Sequence, residues 1–426
     1  MEGEKRKVIV LIGPLDTKGL ELGYINEQLV QHGYTTIVID VSLLGSPPFK
    51  PDISREKVAE AAGVKFEDLG PLAQEDAWDP MTRGAVSIVQ ELYHSGKLHG
   101  IISVGGSMGT SLATAAMRVL PLGLPKVMVS TVASADVHSY VGTKDITMIH
   151  SVADIQGLNM VTKRILTTAA GAIMGMVDKD PGELKPERPL IGISARGINE
   201  PCVTMLKKIL EQSGFEGVCF HATGTGGQAL EEWLDQGLLH GVLDMSPVDS
   251  IEHLFGGRFA AGPDRLESAG RRGIPQVIGT CGIGWICYDG VEKVPEQMRD
   301  RNLRVHNPQV VVARLNKKEM AFVGQFMADK LNKSIGATAV LIPKRGFAGG
   351  GWDEGYDPEE DLVFIESLKS HLKPSIDFVE LDAHINDRVY AERAVALLLE
   401  LLRQGGEYPT IHQEHITREA KRTLCE

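Results

Sequence analysis

The chain has no excess of positive charge, no paired cysteines and no long apolar run. Its 44 Lys and Arg stand against 56 Asp and Glu, a formal net charge of −12. Nucleic acid selects a basic face, so it is not the expected partner. The five cysteines (Cys202, Cys219, Cys281, Cys287 and Cys425) form no CxxC pair and no zinc spacing. An odd number at irregular gaps reads as reduced thiols in a reducing compartment. No apolar run reaches the roughly 18 residues of a membrane span. The opening MEGEKRKVIVLIG lacks a signal peptide's apolar segment and small-residue cleavage site. The expectation is a cytoplasmic protein with neither membrane nor nucleic-acid partner.

What is present is a globular composition: 426 residues, 43% hydrophobic, 23% charged, with 47 glycines. That length suits two or three domains. Short β-branched runs such as Val8–Ile12, Thr35–Asp40 and Gly100–Val104 alternate with helical stretches at Lys18–His32, Thr82–Tyr93 and Thr110–Val119. Such alternation predicts βαβ units around a parallel sheet. Met160–Met176 predicts a long apolar helix, suited to packing between layers or between subunits of a homo-oligomer such as a dimer. In VDKDPGELKPERP, three prolines and seven charged residues mark a boundary, after which strand and helix signals restart at Leu190. The predicted organisation is two Rossmann-like, doubly wound α/β domains with mainly parallel sheets: residues 1–180, a linker at 181–189, and residues 190–426.

IISVGGSMGTSLATAA, residues 101–116, reads as strand, glycine turn and helix. Glycines let backbone N–H groups approach a ligand, and a helix N-terminus favours anions. Gly105, Gly106 and Gly109 would open the backbone, and Ser107 and Thr110 would donate. The spacing fits neither the Walker pattern nor GxGxxG, so these residues alone favour phosphate binding only modestly over a plain turn. Other loops are expected at the same rim: GPLDTKG with Asp16, Thr17 and Lys18, DVSLLG after the second strand, and STVASAD after the fourth. Arg83, in DPMTRG, is expected at a helix start.

GPLDTKGLE, GGSMGTSL, LPLGLPKVMVSTVAS and YVGTKDITMIHSVADIQGLN resemble the Tm-1-like ATP-binding family. The resemblance spans nearly the whole chain and is densest over residues 8–159. It implies two Rossmann-like domains with ATP in the first. Carried over by motif, the nucleotide site would comprise Asp16, Thr17, Lys18, the turn near Leu43, Arg83, and Gly106, Ser107, Met108, Gly109 and Thr110. Thr131, Val132, Ala133 and Ser134 would form a further wall. Mg2+ is expected as the companion of ATP, approached by Asp16, Asp40 or Asp154.

The second half carries polar residues at strand ends. HATGTGGQA holds His221, Thr223, Gly224, Thr225 and Gly226, and SPVDSIEHLFGGR holds Asp249, Glu252 and Arg258. His306 and Asn307, Lys344 and Arg345, and Asp382 and His384 follow, with Trp352, Asp353 and Glu354 in a glycine-rich loop. His221, Asp249, Glu252, His306, Asp382 and His384 are candidates for acid–base work. Thr223 to Gly226, Arg258, Asn307 and Arg345 are candidates for holding a small anionic substrate. Each also suits a cap or a turn. The leading expectation is an ATP-dependent enzyme gripping a small metabolite between its domains. A nucleotide-regulated assembly module without turnover is the alternative. A phosphofructokinase-like sugar kinase is the third reading, weakened because Met108 stands where that glycine loop needs an acid.

Overall fold

The computed structural model describes residues 7–70, 74–180, 182, 186–301, 303–348 and 358–404. Trp352, Asp353, Glu354 and Cys425 lie outside the described residues. The chain divides into two compact units, Met1–Lys185 and Pro186–Glu426.

The first unit holds strands β1 (Val8–Gly13), β2 (Thr35–Asp40), β3 (Gly100–Gly105), β4 (Lys126–Ser130) and β5 (Thr147–His150). Its helices are α1 (Leu15–Gln31), α2 (Arg55–Ala61), α3 (Gln74–His94), α4 (Ser107–Arg118), α5 (His138–Val141) and α6 (Met160–Lys179). The strands pair in parallel in the order β2-β1-β3-β4-β5. β1, β3 and β4 are almost wholly buried, as continuous apolar runs in a doubly covered parallel sheet must be. Side chains alternate between faces. Ile9, Leu11, Ile102, Val104 and Val127 pack beneath α1 and α6. Val10, Ile12, Ile101 and Met128 pack beneath α2, α3 and α4. α6 is set by a capping box: Asn159 accepts from Val161 N–H (2.9 Å) and Thr162 N–H (3.0 Å).

The second unit holds β6 (Leu190–Ala195), β7 (Glu216–His221), β8 (Gly241–Asp244), β9 (Gln276–Ile278), β10 (Trp285–Tyr288), β11 (Leu303–Asn307), β12 (Val310–Arg314), β13 (Thr338–Pro343) and β14 (Asp377–Leu381). Its helices are α7 (Glu200–Gln212), α8 (Thr225–Asp235), α9 (Asp249–Glu252), α10 (Ser268–Arg272), α11 (Lys317–Leu331), α12 (Pro358–His371) and α13 (Arg388–Gln404). Six strands form a parallel sheet in the order β14-β13-β9-β8-β6-β7. Counted among themselves in chain order, these run 2-1-3-4-5-6, and the first unit runs 2-1-3-4-5. Both units are therefore doubly wound and Rossmann-like, with the same starting topology.

Two features depart from the expectations. A three-stranded antiparallel sheet, β10-β12-β11, is inserted after β9. α3 runs straight through Pro80, so Arg83 lies inside a helix and not at its start.

Close packing makes Gly84 a sensitive position. A Cβ there would stand 1.9 Å from the Val58 carbonyl oxygen, where α3 crosses α2. Gly84→Ala is expected to cost at least about 1–3 kcal/mol in urea unfolding, because backbone must move. Gly171 in α6 meets nothing within 4 Å, and Gly171→Ala is expected to gain about 0.5–1 kcal/mol.

Candidate functional site

In the first unit the strand ends are level. Gly13 pairs with Asp40, Gly105 with Ser130, and Ser130 with His150. β1 and β3 are neighbours, yet α1 packs on one face of the sheet and α4 on the other. Between two such helices opens the crevice where sheets of this kind take ligands. Its walls touch: a Cβ on Gly109 would lie 3.8 Å from Pro14 Cδ.

α4 begins at Ser107, one turn earlier than the expected Thr110. Gly106 precedes it and no side chain caps it, so the first-turn N–H groups have no capping acceptor. Ser107 and Met108 are exposed. A Cβ on Gly105 would press on Gly109 Cα at 3.1 Å, whereas one on Gly106 would meet only Thr131 Oγ1, at 3.8 Å. Thr110 is different from its expected role. It is fully buried, and its hydroxyl lies 2.6 Å from Ser130 Oγ, tying α4 to the end of β4. Thr131 N–H donates to the Gly105 carbonyl (3.3 Å), which brings the turn Thr131, Val132, Ala133 and Ser134 beside the glycine loop.

Asp16, Thr17 and Lys18 occupy the first turn of α1. Asp16 Oδ2 accepts from the N–H groups of Leu44 (3.2 Å) and Gly45 (3.1 Å). Asp40 Oδ1 accepts from Leu15 N–H (3.1 Å), Ser42 N–H (2.9 Å) and the Ser42 hydroxyl. These carboxylates fasten the β1 and β2 loops together. Asp40 is 1% exposed, and that oxygen is saturated by the β1 and β2 loops. The Lys18 ammonium donates to the Ile155 carbonyl. That partner is neutral, so a phosphate would hold the ammonium more strongly. Leu43 packs against the core. Arg83 Nε bonds Asp79 Oδ2 at 3.1 Å along its own helix. Among the described residues, no cluster of His, Cys, Asp and Glu has the form of a metal site. The donor set at the rim, N–H groups and hydroxyls, suits an anion.

The second unit does not gather its candidates into one place. At the end of β8, Arg265 is fully buried in a cage of carboxylates. It holds Asp244 with two nitrogens (2.5 and 2.8 Å), Asp249 at 3.1 Å and Glu231 at 3.1 Å. Ser194 at the end of β6 also donates to Asp244 (2.6 Å). Glu231 further accepts Leu266 N–H at 2.7 Å, and Leu266 sits in the left-handed region with φ 71°. Asp249 and Glu252 share α9, but each faces a different arginine: Glu252 Oε1 lies 3.3 Å from Arg196 Nη2. Burial pushes the Asp249 carboxyl up to about 6, Arg265 opposing. Burial pushes Glu252 up to about 7 against the pull of Arg196. Asp249 Oδ2 stands over α8, where a Cβ on Gly227 would come within 2.1 Å. The first turn of α8, which holds Thr225 and Gly226, thus faces a carboxylate of the protein itself.

The other candidates lie elsewhere. His221 is exposed at the end of β7. Arg345 Nε pairs with Asp382 at 3.1 Å on the surface. His384 lies two residues after Asp382, its Nε2 3.1 Å from the Ala348 carbonyl. His306 falls at a register shift in β11. Arg258 and Asn307 line a separate groove beside the antiparallel sheet. Cys281 and Cys287 are buried, and burial holds the Cys287 thiol up at about 12. Arg196, Glu231, Asp244 and Arg265 escaped sequence reasoning. Asp244 alone had a readable signal, an acid closing an apolar strand as Asp40 does.

The profiles of the N-terminal and C-terminal domains of an uncharacterised protein family, UPF0261, match residues 7–181 and 188–402. The chain belongs to the UPF0261 family. A UPF0261 protein of Clostridium tetani is 40% identical over 402 residues, covering 93% of this chain and 99% of that protein. The tomato (Solanum lycopersicum) ToMV resistance protein Tm-1(GCR237) is 30% identical over 425 residues, covering 92% of this chain and 55% of its own length. Among solved structures, a UDP-N-acetylglucosamine 2-epimerase aligns with a TM-score of 0.24 and 10% identity, over 64% of this chain and 79% of that one.

Two outcomes test the buried charges of this UPF0261 protein. Arg265→Ala leaves three buried carboxylates without their cation, and is expected to cost at least about 3–5 kcal/mol by denaturant unfolding. The acids set a pH dependence of known sign. A carboxyl raised from 4.5 to about 7 binds its proton more tightly when folded, so stability falls as pH rises through that window. Thermal midpoints between those pH values are expected to decline for the wild type, and to decline less for Glu252→Gln.

Proposed function

We propose that the first unit binds ATP, with its phosphates at the crevice between β1 and β3. The observation that carries this reading is the uncapped N-terminus of α4, with open space above Gly106 and the start of α1 alongside. Backbone N–H groups and the helix dipole favour negative charge there. The Ser107 hydroxyl and the Lys18 ammonium, turned from the Ile155 carbonyl, would complete the cradle. The likeness to the Tm-1-like ATP-binding family supports ATP over other phosphates. Mg2+ would arrive on the phosphates themselves, since Asp16 and Asp40 are occupied by backbone N–H groups. The best overall reading is an ATP-dependent enzyme acting on a small metabolite.

A second reading has one observation in its favour. Met160 is 86% exposed and Val161 36% exposed at the start of α6, an apolar surface suited to a second copy of the chain. The nucleotide would then govern assembly without turnover. Single-turnover ADP release separates the two, and release that stops in Lys18→Ala selects the enzyme.

Gly106→Val tests the site itself. Its backbone is extended (φ −83°, ψ −163°), so valine fits without strain while its side chain enters the ligand space. Titration calorimetry is expected to show ATP–Mg binding to the wild type and none to the variant, at equal thermal midpoints. Unchanged affinity in the variant would return the loop to a simple turn.

A further inference from the structure

The groove in the second unit has a chemistry of its own. The segment Asp289–Glu292 after β10 and the β11–β12 hairpin line an open groove of about 510 Å3. That is within the usual size of small-molecule sites, roughly 300–1,000 Å3. Val291, Val305 and Val311 line it, and Val291 and Val305 are 49% and 70% exposed. The charged lining is Arg258 with Asp289 and Glu292. Gly290, at φ 85°, makes the turn that places both carboxylates at one mouth.

The groove is joined to the end of the main sheet. Arg258 N–H donates to the Cys287 carbonyl at 2.7 Å, and Cys287 Sγ lies 3.7 Å from Arg196 Nη1. The Arg196 and Arg258 guanidinium carbons each lie 5.4 Å from the ring centre of Phe259. Arg258 is thus seated beside the carboxyl end of β6, where sheets of this class place ligands.

We infer that this groove binds a small amphoteric metabolite of the α-amino-acid class. Its carboxylate takes Arg258, its ammonium takes Asp289 and Glu292, and its apolar side chain covers the valines. The charge pattern requires both ends. A simple acid would meet two carboxylates, and a simple amine would leave Arg258 committed to Asp289. A ligand with both charges exchanges one exposed ion pair for two. Exposed pairs are weak, so the exchange is easily driven.

The inference is independent of the nucleotide site, and its test uses the full chain without nucleotide. A thermal-shift screen of the common L-amino acids at millimolar concentration is expected to find at least one that stabilises the protein. Calorimetry then compares that amino acid with its decarboxylated amine and its deaminated acid, each expected to bind at least about tenfold more weakly. Arg258→Gln and Glu292→Gln are each expected to weaken the amino acid about tenfold or more without moving the ligand-free thermal midpoint. No shift with any amino acid would overturn the inference. So would equal binding of the acid or the amine, or unchanged affinity in both variants.

Discussion

Parallel pairing requires a crossover between each strand and the next, so every loop that follows a strand gathers at one rim. The rest of this molecule depends on that constraint. It brings Gly13, Asp40, Gly105, Ser130 and His150 level in the first unit, although up to 137 positions separate them in the chain. Where the winding reverses, two neighbouring strands send their helices to opposite faces, and a crevice is unavoidable. Both units have one, between β1 and β3 and between β6 and β8.

The two crevices are finished differently. The first keeps its N–H groups free: glycine precedes α4, and the nearby acids are turned to backbone donors instead. The second is filled with charge. Arg265 cannot reach water, so its burial is tolerable only because Asp244, Asp249 and Glu231 enclose it. Burial, with neighbouring Asp244 adding to it, raises the Asp249 carboxyl to about 6 in spite of Arg265. One topology thus provides an uncapped helix N-terminus in one unit and a closed ionic lock in the other. The inserted antiparallel sheet supplies the second unit with the open surface that its own crevice lacks.

Much of this was legible in the amino-acid order. Apolar runs such as VIVLI and GIISV mark strands buried on both faces, and glycine after GIISV marks the turn into α4. The two units divide after Lys185, within the stretch of proline and charge that precedes Leu190. Other features were hidden for physical reasons. The helix expected from Thr82 begins at Gln74 instead, because α3 continues through Pro80, which normally opens a helix. WICY lacks the alternation of a half-buried strand because β10 is buried throughout, whereas LRVHN alternates only over its first four residues and β11 is largely exposed. The contacts of Arg265 span 16 to 34 positions, and no local pattern records them. The same distance effect turned Thr110 inward, since its partner Ser130 belongs to another strand.

The left-handed backbone at Leu266 bears on how the second unit assembles. A branched, non-glycine residue in that region costs about 1–3 kcal/mol, and free chain has no reason to adopt it. Here the Leu266 N–H is held by Glu231 on α8, and the adjoining Arg265 by Asp244 at the end of β8. Segment 262–268 therefore cannot take its native form until α8 and β8 have docked on the sheet. Order in this turn thus depends on both elements being in place, and it reports that the core around it is intact.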